Sequence, residues 1–97
     1  MIGFDWDENK NISNIRKHKI SFNEAKTVFY DDDAILFDDP EHSIGEERFL
    51  IIGKSFENNV LIVSHCYRIK NKEEETIRII SARKATKSEI SVYKQGV

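Results

Sequence analysis

Arg83 and Lys84 arrive where an apolar, β-branched run, Ile77-Arg78-Ile79-Ile80-Ser81-Ala82, comes to its end. Directly after them, Thr86-Lys87-Ser88-Glu89 has the Thr-x-x-Glu spacing of a capping box, so a helix starts there. A strand that delivers two cations beside a helix N-terminus can hold an anion, because guanidinium and first-turn amides all donate toward negative charge. The plain alternative is a core strand followed by solvated charges. Arg48, His65, Arg68 and Arg78 fall in or next to strand-like runs and extend the same set. His65 is the member of the set that titrates near neutrality when unperturbed. Otherwise it is a hydrogen-bonded core histidine. Arg48 and Arg83 are, in the same way, either anion donors or partners of nearby acids.

A sheet must position these side chains. Glu47 to Lys54 and Val60 to Arg68 read as strands with a turn at Glu57-Asn58-Asn59. A longer charged turn from Lys70 to Glu75 leads into the third strand of the meander. Alternation puts His65 on the face of Leu61, Val63 and Tyr67, and Arg68 on the face of Val60, Ile62 and Cys66. On a regular strand Arg78 and Lys84 share a face and Arg83 takes the other. These cations then cannot all enter one groove unless some lie beyond the strand ends.

Upstream, Phe4-Asp5-Trp6 reads as a short edge strand. Asp7 is an N-cap, and a helix runs to about Lys17-His18 with Ile12 and Ile15 as a narrow apolar stripe. Ser21-Phe22-Asn23-Glu24 is a second capping box, and Phe22, Ala25, Val28 and Phe29 space a second amphipathic helix that ends at Asp31-Asp32-Asp33. Ala34 to Phe37 is a short strand and Asp38 to Gly45 a loop. The last helix, about Lys87 to Gln95, buries Ile90 and Tyr93 and stops at Gly96. The order is β-α-α-β-β-β-β-α. The class is α+β: an antiparallel meander sheet with two N-terminal helices and one C-terminal helix.

Ninety-seven residues make one domain, 1–97, with 39% hydrophobic and 33% charged residues, which fits a folded chain and not a disordered one. No apolar run approaches the roughly 18 residues of a membrane span, and the N-terminus lacks signal-peptide character. A single cysteine, Cys66, reads as a buried structural thiol. Cytoplasmic location is expected. A net charge of −2 argues against a general nucleic-acid binder, but the distribution is uneven. Residues 10–26 carry Lys10, Arg16, Lys17, Lys19 and Lys26 against Glu24, and residues 76–97 are also basic. Residues 31–47 hold eight acids and no Lys or Arg. The two basic blocks can form one surface with the acidic belt elsewhere.

The chain resembles the BrnT family, toxins of bacterial type II toxin–antitoxin systems with a RelE-like ribonuclease fold. The resemblance rests on an ordered set: Phe4-Asp5-Trp6-Asp7, Asn14 through Lys17-His18, Ser21-Phe22-Asn23-Glu24-Ala25, His42-Ser43 with Gly45-Glu46-Glu47-Arg48-Phe49, Ile52-Gly53, and Ile77 through Ala85. It implies a metal-free ribonuclease that inhibits translation. It also implies a BrnA-like antitoxin with a ribbon-helix-helix part that neutralises the toxin in a hetero-oligomer. That complex would bind its own promoter, so operator DNA is reached through the antitoxin. The chain departs from the family at Lys19, where glycine is usual, and in the length and acidity of the 70–75 turn.

RNA cleavage without metal needs a base to take the 2′-hydroxyl proton, cations to hold the phosphorane and an acid for the leaving 5′-oxygen. The expected catalytic set is Arg48, His65, Arg68 and Arg83. The expected RNA-binding set is Lys17, His18, Arg78, Lys84 and Tyr93. His18 otherwise serves the helix end, His42 is otherwise a loop surface residue, and Tyr93 is otherwise a core anchor. The three histidines lack metal-ligand spacing and there is no cysteine pair, so neither a metal nor a cofactor is expected. A second reading is a non-catalytic module acting only with its antitoxin in promoter autoregulation.

Overall fold

The computed structural model describes residues 2–69, 71 and 74–96. Its elements are β1 (Ile2–Asp5), α1 (Glu8–His18), α2 (Phe22–Ala25), β2 (Ile35–Asp38), β3 (Phe49–Lys54), β4 (Val60–Ile69), β5 (Glu75–Lys84) and α3 (Lys87–Gln95). Among the described residues, no helix is long and apolar enough to cross a membrane. Of the expected charged turn at 70–75, residues 70, 72 and 73 lie outside the described ones, and Glu75 already belongs to β5.

The five strands lie in the order β1-β5-β4-β3-β2. The meander β3 to β5 is antiparallel as expected, and β2 extends it antiparallel to β3, but β1 joins β5 in parallel, so the sheet is mixed. The reason is topological. The chain crosses from β1 to the rest of the sheet through α1 and α2, and a crossover of that length lets a strand return in either direction.

The helices follow their caps. Asp7 accepts from the amides of Asn9 and Lys10, Ser21 from Glu24, and Thr86 and Glu89 form a complete reciprocal box. Ser21–Glu24 is only half of one. The Glu24 carboxylate instead accepts from Ser55 Oγ at 2.7 Å and Asn59 Nδ2 at 2.8 Å, which ties the β3–β4 turn to α2. The second helix is also not one α-helix: after a single α turn it tightens into a 3₁₀ segment, Lys26–Tyr30. Lys19 ends α1 with φ 63°, ψ 25°, the left-handed conformation that glycine adopts without Cβ strain.

The expected stripe on α1 is corrected. Ile12 and Ile15 are 48% and 41% exposed, while Asn11 and Asn14 are 7% exposed and face inward. Both asparagines are fully employed. Asn11 Oδ1 accepts from the Phe22 amide, and Asn14 bonds the Ile20 carbonyl and both backbone groups of Ala82. Past Arg78, the outer edge of β5 has no strand neighbour among the described residues, and Asn14 fills the place of one.

The core lies between one sheet face and α2 with its 3₁₀ extension: Phe22, Ala25 and Val28 on Ile51, Leu61, Val63, Ile79 and Ala82. On the other face α3 covers only one end, where Tyr93 packs with Ile52 and Ile62, and Ile90 is half-buried. Among the described residues, no helix covers the remainder of that second face.

A β-bulge changes what the open face presents. Ser64 pairs with Ser81, but His65 pairs with Ile79, so Ile80 has no partner of its own. One extra residue reverses the alternation downstream of it. Ile79 and Ala82 therefore both enter the core, and Arg78 and Arg83 both leave on the other side, opposite Cys66 and Ile62. The expectation from a regular strand, with Arg78 and Lys84 together and Arg83 apart, is overturned. Lys84 pairs with Leu61 and takes the core-side direction at the exposed strand end.

Candidate active site

The open part of the second face forms a cleft of about 420 Å³. Its floor is Leu50, Ile62, Ser64 and Ile80, from β3, β4 and β5. Arg48 enters from the start of β3, Arg83 from the end of β5, and His18 from the end of α1. Asp39, Glu41 and His42 come from the turn that follows β2.

Arg83 is fixed in place. Its Nη1 and Nη2 donate to Glu89 at 2.8 and 2.9 Å, a bidentate pair, and Nη1 also reaches the Lys84 carbonyl at 3.3 Å. Glu89 is the same residue that closes the α3 capping box. The Arg83 guanidinium holds the Glu89 carboxyl down at about 2, and Glu89 in turn raises Arg83. The arginine is therefore aimed by Glu89, six residues later, in the first turn of α3.

Arg48 is held through its backbone. Its amide donates to Ser43 Oγ at 2.9 Å and its carbonyl accepts from the Asp39 amide at 3.0 Å. Ser43 Oγ donates to the Asp39 carbonyl at 2.7 Å, closing the turn on itself. The Arg48 Nε is buried and has no hydrogen-bond partner among the described residues. A buried N–H without an acceptor is costly, so this guanidinium has donor capacity left for an oxygen acceptor.

The structure brings Arg48, Arg83 and His18 together and leaves the other expected residues elsewhere. Arg68 and Arg78 share the sheet face but pair outward, Arg68 with Glu46 at 3.8 Å and Arg78 with Asp5 at 3.2 Å. Lys17 lines a shallow depression of about 210 Å³ with Lys10, Ser13 and Asn14. That depression shares His18, Ile80 and Ser81 with the cleft, so a basic path runs over the edge of β5. Lys84 is exposed at the strand end, away from the cleft lining.

His65 is in the core. It is 0% exposed, on the face opposite the cleft, edge-on to Phe29 and Tyr67. Its Nδ1 lies 3.1 Å from the Val63 carbonyl and its Nε2 3.1 Å from the Tyr67 hydroxyl. Burial pushes its pKa below the ordinary histidine value, partly offset by the Val63 carbonyl. Tyr93 is also a core anchor. Its hydroxyl donates to Asp31 at 2.7 Å, and burial with that carboxylate pushes its pKa up to about 12. Cys66 is buried, and burial pushes its thiol pKa up.

Two residues of the turn were not singled out as a unit by the sequence. His42 Nδ1 lies 3.0 and 3.1 Å from the two carboxylate oxygens of Asp39. The signal available was Asp39-Pro40-Glu41-His42: a proline at the first position of a 3₁₀ turn brings residues three apart onto one side. Among the described residues, no cluster of three or more His, Cys, Asp or Glu is placed to hold a metal ion.

The sequence matches the family described as "Ribonuclease toxin, BrnT, of type II toxin-antitoxin system" over residues 6–89. No curated protein sequence matches it. The fold is similar to the 1.1 Å crystal structure of the Brucella abortus ribonuclease toxin, BrnT, with a TM-score of 0.67. That alignment has 21% identity and covers 90% of this chain and all of the other.

Proposed function

This chain belongs to the family of BrnT ribonuclease toxins of type II toxin–antitoxin systems, and on that premise we propose that the cleft of Arg48 and Arg83 is where it cleaves RNA. The observation that carries this is convergence: Arg48, just before β3, and Arg83, near the end of β5, line one cleft, one bidentately anchored and one with a buried donor unspent. The scissile phosphate sits between them. The 2′-hydroxyl attacks phosphorus, the arginines hold the charge of the phosphorane, and no metal is required. The RNA strand leaves the cleft over His18 toward Lys17 and Lys10. Arg68 and Arg78, on the same face, meet more distant phosphates after giving up Glu46 and Asp5.

Residues 1–97 act as one toxin domain in the cytoplasm and inhibit translation. A small ribbon-helix-helix antitoxin neutralises it by covering the cleft, and the complex represses its own promoter. The test is cleavage of RNA in EDTA by antitoxin-free protein, with Arg48→Ala and Arg83→Ala beside the parent. Cleavage that survives chelation and falls at least about 100-fold in both variants is the expected result.

One observation favours a second reading. Glu89 already occupies both Nη groups of Arg83, and Asp39 and Glu41 line the same cleft. These acids suit a non-catalytic module that acts only with its antitoxin on the promoter. Folded, antitoxin-free protein that leaves RNA intact while still completing the operator complex selects that reading.

A further inference from the structure

We infer that His42, oriented by Asp39, is the general base of the cleft, an assignment that rests on the RNA-cleaving reading above. The geometry is that of an oriented imidazole. A neutral histidine carries one N–H, and Nδ1 lies within hydrogen-bond distance of both carboxylate oxygens of Asp39. The proton therefore sits on Nδ1 and donates to Asp39, and Nε2 is left as an acceptor. Asp39 is the less exposed partner, with its side chain 14% exposed, while His42 is 64% exposed and lines the cleft. A base needs that division: a fixed carboxylate behind and an accessible nitrogen in front.

The turn is built to hold this arrangement against the arginine. The amide of His42 donates to the Asp39 carbonyl at 3.2 Å, and Ser43 Oγ donates to the same carbonyl. Asp39 and Ser43 also bond the carbonyl and amide of Arg48. The base and the arginine are thus parts of one hydrogen-bonded unit. His18 reaches the cleft from the other side of β4, because α1 is fixed to β5 and the turn to β3.

The step balances with these two groups. His42 Nε2 takes the 2′-hydroxyl proton as the 2′-oxygen forms its bond to phosphorus. The bond from phosphorus to the 5′-oxygen breaks, and protonated His18 gives that oxygen a proton. The products are a 2′,3′-cyclic phosphate end and a 5′-hydroxyl end, with no oxidant or metal consumed. The next turnover needs only a proton moved from His42 to His18 through water.

The experiment measures single-turnover cleavage of an RNA oligonucleotide in EDTA, with RNA affinity measured separately. His42→Ala is expected to lose cleavage about 100-fold or more, the usual contribution of a positioned base, with affinity changed less than about threefold. Asp39→Asn is expected to lose about tenfold in rate at unchanged affinity, because the wrong tautomer is then favoured. Added imidazole should restore His42→Ala and leave Arg83→Ala unrescued, a readout that a structural role does not produce. Wild-type cleavage by His42→Ala, alongside loss in Arg48→Ala and Arg83→Ala, overturns the base and keeps the cleft. Unchanged cleavage in all of these variants, or none by the parent, overturns both.

Discussion

Asn14 and Ala82, 68 positions apart, exchange two hydrogen bonds across the edge of β5. Asn14 Nδ2 donates to the Ala82 carbonyl at 2.8 Å and Asn14 Oδ1 accepts its amide at 3.1 Å. A side-chain amide thus completes a ladder where the strand has no neighbour. His18 lies one helical turn further along α1, so the same pair sets where His18 meets the cleft.

Asn14→Ala leaves buried backbone groups of Ala82 and Ile20 without partners. The expected loss is about 2–3 kcal/mol in urea unfolding, well above the typical surface substitution. Asn14→Asp keeps the acceptor, loses both donations, and should fall between. A loss under about 0.5 kcal/mol for Asn14→Ala would show that α1 is not held by this pair.

Lys19→Gly should stabilise the protein by about 1 kcal/mol, because φ 63° strains a residue with a Cβ. Part of the gain is offset by the greater freedom of glycine in the unfolded chain. Thermal melting reads the result, and a lowered midpoint would contradict it.

Two groups give separate acid limbs. His65 titrates below its ordinary value of 6.5 in the folded chain because burial disfavours the imidazolium. Below about 6.5 the unfolded chain binds a proton that the folded one does not, so stability falls as pH falls. Glu89 drops from 4.5 to about 2 on folding, chiefly through Arg83, so its contribution is complete above 4.5 and lost toward 2. His65→Gln should flatten the first limb, and Glu89→Gln should remove part of the second. A parent whose stability is constant from pH 6.5 to 4.5 would rule out the His65 part.

RNA affinity should fall steeply with salt, with a log–log slope of about −0.7 for each phosphate contact on a single strand. Arg48→Ala should shrink the slope by about that amount. Titrations from low to moderate salt with no change in affinity would remove the arginines from the binding surface.

If the antitoxin covers the cleft, Arg83→Glu weakens cleavage and antitoxin binding together, since one surface serves both. Calorimetry of the variant with the antitoxin measures the second effect. Full antitoxin affinity beside lost cleavage would place inhibition on another face.

Much of the frame was legible because it is local. Asp7, Ser21 and Thr86 mark helix starts, and the alternation of Val60 to Arg68 placed His65 and Arg68 on the correct faces. The inward side of α1 was not legible. Asn11 and Asn14 are buried only because Phe22 and Ala82 offer backbone groups to them, a non-local fact that hydrophobic spacing does not carry. The parallel partner of β1 was hidden for the same reason. Arg48 and Arg83 could be nominated by type, but their meeting could not, because the bulge at Ile80 leaves no compositional mark. His42 and Asp39 were lost inside a stretch read as a loop from its turn residues.

The bulge also bears on how relatives of this chain are aligned. An alignment that treats β5 as a uniform ladder can close a gap of one residue near Ile80 at little apparent cost, since apolar still matches apolar. Such a shift carries Arg83 through the plane of the sheet, from the cleft to the side of Phe22 and Val63. The count of residues between Arg78 and Arg83 is therefore as much a signature of this site as the arginines are.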